Sequence, residues 1–269
     1  MGIEFKNVIN HISNKEFHDL DYQITGFAFQ THKVLGKFCN ERNYQTYLTH
    51  LCENNGIMVD IEIPIVVSFK SFIKKYYIDI LINNSIIYEL KSVVSLTNNH
   101  TNQILDYLLL TNCNYGKIIN FGGYSVEKEF VTTTLTKEDR FNISIEDDKW
   151  FNIDEDSLWL KKLVISLFHE WGGFLSFQLF YDAIYFFRGG EENIIKPVQI
   201  ICNNFSIGTK NFHLLNNKTA FNLSSITKDK NKNYYKNNLQ RFIQNTPLKT
   251  LQWINFNNHN IEFETLTNI

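Results

Sequence analysis

The sequence predicts a mixed α/β protein made of two successive halves. Three observations carry that expectation. Apolar residues recur at helical spacing over some stretches and give way elsewhere to short runs rich in Val, Ile, Phe and Tyr. The order helix, strands, helix, strand appears over residues 22–121 and again over 158–256. Between the halves, residues 137–157 form a strongly acidic stretch.

Residues 22–55 place Ile24, Phe27, Ala28, Thr31 and Leu35, then Tyr44, Tyr47, Leu48 and Leu51, at intervals that make one helical face. Gly56 is the expected stop. Residues 59–69 (VDIEIPIVVSF) and 76–82 (YYIDILI) are β-branched and aromatic, and Asn83-Asn84 makes a turn into SIIYELKSV at 85–93. Residues 101–111 are helical again, and YGKIINF at 115–121 is a strand ended by Gly122-Gly123. The stretch 137–157 holds Glu146, Asp147, Asp148, Asp154, Glu155 and Asp156 and reads as a solvated linker ending in a helix N-cap. Beyond it, 158–188 is helical and aromatic, and 163–187 is apolar nearly all round. Strands follow at 197–202, 205–214 and 219–226, then a helix at 233–245 and a strand at 248–256.

Composition narrows the function. A chain of 269 residues with 43% hydrophobic and 15% aromatic residues is globular, not disordered. Lys and Arg number 26 against 28 Asp and Glu, which excludes a uniformly basic nucleic-acid coat while leaving local basic faces open. Cys39, Cys52, Cys113 and Cys202 form no CxxC pair, so a zinc knuckle is not expected and the thiols fit a reducing compartment. The N-terminal residues lack an apolar core of the kind a secretory signal needs, and no run of 18 apolar residues occurs. The expectation is a cytoplasmic protein without a membrane partner. No Gly-rich phosphate loop or Ser/Cys nucleophile motif supports a small-molecule enzyme.

One constellation carries chemistry. Asp79 lies in YYIDILI, and Glu89 and Lys91 lie in YELKSV. With a strand period of two, Glu89 and Lys91 share a face, and the hairpin brings Asp79 alongside. Two carboxylates with a lysine beside them suit a hard divalent cation, Mg²⁺ or Mn²⁺, acting on a phosphate ester. The same residues would also make an ordinary edge-strand salt bridge. Charges on so apolar a strand are costly to bury unless paired or metal-bound.

IYELKSV and the preceding Asp79 resemble the PD-(D/E)XK nuclease motif. More narrowly, residues 22–123 resemble the GxxExxY family of that superfamily, through YQITGFAFQTHKVLG (22–36), NERNYQTYL (40–48), HTNQILDYL (100–108) and GKIINFGG (116–123). The resemblance implies a restriction-endonuclease-like core, a mixed sheet flanked by helices, in a nuclease-like domain at 1–136. It implies catalytic roles for Asp79, Glu89, Lys91, Gln103 and Glu41, with Asp79, Glu89 and Glu41 as metal ligands. Glu41 and Tyr44 match the residues that name the family, and His100 and Tyr107 match neighbouring motif positions, although aromatic residues at helical spacing usually pack. The sequence departs from the family at Phe38, where a second glycine is usual.

The C-terminal α/β domain, 158–269, reads as a degenerate repeat of the first or as an unrelated α/β segment with the same element order. Ile119-Asn120-Phe121 answers Ile254-Asn255-Phe256 at an offset of 135, as Thr111 answers Thr246 and Tyr107 answers Phe242. His213 or its neighbours fall beside Asp79, Phe221 to Ser224 opposite Glu89 and Lys91, and Asn238 opposite Gln103, so the repeat keeps no carboxylate site. Its basic stretch, with Lys228, Lys230, Lys232, Lys236 and Arg241 among tyrosines, is a candidate nucleic-acid-binding face or a solvated loop. The expected function is metal-dependent hydrolysis of nucleic acid, DNA in preference to RNA. The rival is a non-catalytic nucleic-acid-binding or assembly module on the same fold. Near-neutral charge leaves room for a protein partner or a homodimer.

Overall fold

The computed structural model describes residues 2–268. It divides into two compact units, the first ending at Lys137 and the second beginning at Glu138.

The first unit runs β1 (Ile3–Phe5), α1 (Asn14–Leu35), α2 (Glu41–Asn54), β2 (Val59–Phe69), β3 (Phe72–Ile82), β4 (Ile86–Lys91), α3 (Asn98–Thr111), β5 (Tyr115–Asn120) and β6 (Glu127–Thr132). The six strands lie in sequence order, antiparallel except for β4 and β5. That pair is parallel because α3 carries the chain back over the sheet. This is a mixed sheet with helices, as a PD-(D/E)XK-like fold requires. The helical stretch at 22–55 is two helices, not one. Gly36 takes φ +68° and its N–H caps α1 on His32 O, and Asn40 then caps α2 by accepting from the Asn43 N–H. Asn83 and Asn84 adopt φ of 49° and 52°, the left-handed turn that Asn tolerates.

A buried ion pair ties α1 to the sheet. Lys117 Nζ sits 2.8 Å from each Asp21 carboxylate oxygen and 2.6 Å from Thr25 Oγ1, and Tyr88 Oη donates to the same carboxylate at 2.9 Å. Lys117 has no exposed surface, so removing either partner would strand a buried charge.

The second unit contains most of α4 (Lys137–Phe141), then β7 (Ser144–Lys149), α5 (Glu155–Trp171), α6 (Phe177–Phe187), α7 (Glu191–Ile194), β8 (Ile195–Cys202), β9 (Phe205–His213), β10 (Thr219–Ser224), α8 (Asp229–Gln244), β11 (Thr250–Asn257) and β12 (Asn260–Thr267). The acidic stretch 137–157 is therefore no linker. Ser144–Lys149 pairs in parallel with β12 as an edge strand with four consecutive charged residues, Glu146 to Lys149. Asp154 is the N-cap of α5, accepting from the Ser157 N–H at 2.7 Å. The apolar stretch 163–187 breaks at Gly172, whose φ of +79° ends α5.

The two units share one run of connections. The β4–α3–β5–β6 segment and the β10–α8–β11–β12 segment each make a parallel pair across a helix, then an antiparallel hairpin. Lys91 pairs with Asn120, and Ser224 with Asn255. Outside that run the units differ. The β8–β9 hairpin is its own two-stranded sheet, joined to β10 by the Leu214–Ala220 bridge, and β7 adds an edge.

Candidate active site

The site forms where β3 and β4 part. Their ladder ends at Ile80–Tyr88, so the next residues, Asp79 and Glu89, project at the fork. Beyond the fork the Leu90 N–H lacks a β3 carbonyl, and Asp79 Oδ2 accepts it at 2.7 Å. One carboxylate thus stands in for a strand partner and is fixed by the backbone.

Glu89 is 2% exposed. Its Oε1 accepts from Lys91 Nζ at 2.6 Å and from Gln103 Nε2 at 2.7 Å. Gln103 comes from α3, and its amide is braced by Tyr107 Oη at 2.8 Å. The other oxygen, Glu89 Oε2, is buried and has no hydrogen-bond partner. A buried carboxylate oxygen left so is costly, and a cation is the partner that suits it best. Glu41, exposed at the start of α2, accepts from the Ser92 N–H at 3.1 Å. The cleft is lined by Glu41, Arg42, Gln45, Glu62, Asp79 and Leu90.

Electrostatics agree with this crowding. Burial pushes the Asp79 carboxyl up to about 6, with Glu62 and Glu41 adding to the rise against the Leu90 N–H and Lys91. Burial, then the Asp79 charge, pushes Glu89 up to about 7. Burial works against the Lys91 ammonium, but the Glu89 charge and hydrogen bond outweigh it, so its pKa is raised and it stays protonated. Among the described residues no three His, Cys, Asp or Glu side chains stand as a ready-made ligand cage. Two carboxylates, with water and substrate oxygens completing the shell, are what Mg²⁺ ordinarily takes from a protein. The donor set is all oxygen, and it fits such an ion.

Other motif residues serve the frame. Tyr44 stacks on Phe121 with ring centres 4.4 Å apart and its hydroxyl donates to Gly36 O at 2.7 Å, latching the α1–α2 loop. His100 Nδ1 accepts from the Thr97 N–H at 3.1 Å, capping α3. Sequence reasoning missed Glu62. It holds φ +52° on β2, accepts from Gln45 Nε2 at 2.9 Å and raises Asp79. The same Gln45 nitrogen lies 2.9 Å from Asp79 O. Within VDIEIP nothing marks Glu62 apart from its charge.

The second unit places different groups at the matching points. The Leu223 N–H, which corresponds to that of Leu90, donates to Tyr181 Oη at 2.8 Å. Phe212 falls at the position of Asp79, since the Leu214–Ala220 bridge answers the Leu81–Ile87 pair, and it stacks on Phe242 at 4.4 Å. The next residue, His213, stacks on the Tyr181 ring at 4.4 Å, and burial depresses its pKa to about 4. Asn222 and Ser224 stand for Glu89 and Lys91, and accept from Tyr235 Oη and Trp253 Nε1. Of the basic residues, Lys232 and Lys236 pair with Glu262 and Glu264 on β12. They are held by their own unit, which corrects their expected place on a free phosphate-binding face. Lys228, Lys230 and Arg241 are exposed.

Residues 18–133 match the family model of the PD-(D/E)XK nuclease superfamily, a span that contains every residue of the fork. No curated protein matches the chain. No helix among the described residues is long and apolar enough to cross a membrane.

Proposed function

We propose that the first unit is a divalent-metal-dependent nuclease of the GxxExxY group, acting on DNA in preference to RNA. The observation that carries this reading is the Glu89 carboxylate. One oxygen is fixed by Lys91 and Gln103, and the other is buried without a hydrogen-bond partner beside Asp79. Asp79 and Glu89 would hold Mg²⁺ or Mn²⁺, with Glu41 contributing from α2. A cation bound there supplies an activated water and offsets the charge that builds on the phosphoryl oxygens. Lys91, still protonated, stabilises that charge and orients the attacking water. Gln103 keeps Glu89 in one rotamer, and Tyr107 keeps Gln103 in place.

The second unit, on this reading, is a copy of the same core that has lost its site and works as scaffold, substrate contact or partner surface. The test is purified protein incubated with linear, circular and single-stranded DNA and with RNA, in Mg²⁺, Mn²⁺ or EDTA. The expected result is metal-dependent cleavage of DNA that EDTA stops. Metal-independent cleavage, or none by well-folded protein on any substrate, would overturn the reading.

A further inference from the structure

Phe38 and Tyr124 are each 93% exposed, which is unusual for large aromatic side chains. They come from different loops. Phe38 lies between α1 and α2, and Tyr124 follows β5. The last turn of α1, just before the first loop, is held to the second loop, His32 Nε2 lying 3.1 Å from Gly123 O. Lys37 joins the rings: its ammonium stands 3.7 Å from the Tyr124 ring centre and 5.3 Å from that of Phe38. Neither ring belongs to the buried core.

The pair is anchored to the site. Cys39, next to Phe38, accepts from Ser92 Oγ at 3.0 Å, and the Ser92 N–H donates to Glu41 at 3.1 Å. Ser92 follows Lys91 directly. Tyr124 is anchored from the other side. At Gly122 a Cβ would stand 2.3 Å from Val93 O, so only glycine lets this turn lie against the strand end. Both rings therefore stand on loops clamped to the residues just after Lys91.

We infer that Lys37, Phe38 and Tyr124 form a stacking platform for an unpaired base beside the scissile phosphate, so the strand being cut is single-stranded there. This rests on the nuclease reading above. An exposed ring with a cation over it offers a π-face to any base and a charge to the neighbouring phosphate. Paired bases inside a duplex present no free face, so the contact selects single strands, frayed ends or extruded nucleotides.

The test separates this inference from the nuclease reading. In an Asp79→Asn/Glu89→Gln background in EDTA, affinities are measured at fixed salt for a labelled oligothymidylate, an abasic strand of equal length and a duplex. The expected result is a base-bearing strand bound roughly tenfold or more tighter than the abasic one. The margin should disappear in Phe38→Ala/Tyr124→Ala, whose exposed positions leave folding intact, while abasic binding persists. Equal affinity for the two strands, a margin that survives the double substitution, a preference for duplex, or no binding at all would overturn it. A margin that appears in a protein with no cleavage activity supports the platform and removes only the nuclease reading. Cleavage without the margin does the reverse.

Discussion

The two units solve one folding problem and end with opposite sites. Asn120 in the first and Asn255 in the second show how closely the frames agree. Asn120 accepts from the Val93 N–H at 3.0 Å and donates to Val93 O at 2.9 Å and Glu127 at 3.0 Å. Asn255 accepts from the Ile226 N–H at 2.9 Å and donates to Ile226 O and Glu262, both at 2.9 Å. A helix-to-strand ring contact occurs in both, Tyr44 stacked on Phe121 and Phe180 meeting Phe256 edge to face. Where the frames agree, the fork between hairpin and parallel pair differs. In the first unit a carboxylate caps the free Leu90 N–H, and a second carboxylate keeps one oxygen bare. In the second a phenol caps Leu223, an imidazole stacks on that phenol's ring, and Phe212 stands where Asp79 does. A fork left polar and under-satisfied suits a ligand, and one filled with aromatic rings suits stability alone.

The largest effect that separates the units is catalytic. Glu89→Gln should lower metal-dependent cleavage by about a thousandfold or more, because a cation ligand and its charge are lost. The matching change Asn222→Ala should leave cleavage unaltered, as initial rates on one substrate will check.

Metal binding should follow pH. Asp79 and Glu89 hold protons up to about 6 and 7, so Mg²⁺ must displace them, and its affinity should rise as pH increases from about 6 to 8. Calorimetry at several pH values reads this directly. Chelation should correspondingly lower the melting temperature more at the upper end.

Stability should respond to pH in opposite senses in the two units. Asp79 and Glu89 have folded values raised above 3.8 and 4.5, so the native state binds more protons between about pH 4 and 7. The stability they confer is present at low pH and lost as pH rises through that window. His213 is depressed from 6.5 to about 4, so the native state there binds fewer protons. Its contribution is complete above pH 6.5 and lost as pH falls toward 4. Metal-free Asp79→Asn/Glu89→Gln protein should be more stable than the parent at pH 7, and His213→Gln should lose less stability on acidification. Melting curves from pH 4.5 to 7.5 distinguish these.

The smallest expected effect concerns the filled fork. Tyr181→Phe strands the buried Leu223 N–H and should cost about 1–3 kcal/mol in chemical denaturation, with cleavage unchanged.

Much of this was legible in the chain. Strand runs with β-branched residues, Asn83-Asn84 and the Asp79, Glu89, Lys91 spacing place the fork, because period-two alternation and turn chemistry are local. Gln103 came through resemblance, and the structure sets its amide on Glu89. The helix breaks at Gly36 and Gly172 escaped because apolar spacing continues across them, and only the left-handed backbone marks the stop. β7 is hidden because an edge strand carrying a run of consecutive charges looks like a linker by composition. Lys232 and Lys236 read as free cations because their partners, Glu262 and Glu264, lie far along the chain. Pairing of that kind is set by tertiary contact, which no local pattern records.

The most direct test of the comparison is a Mn²⁺ titration of isotope-labelled protein followed by paramagnetic broadening of backbone amides. The account predicts early loss of signal at Asp79, Leu90 and Ser92, abolished by Asp79→Asn/Glu89→Gln, with Asn222, Leu223 and Ser224 untouched. Early broadening at 222–224, or none around the first fork, would contradict it.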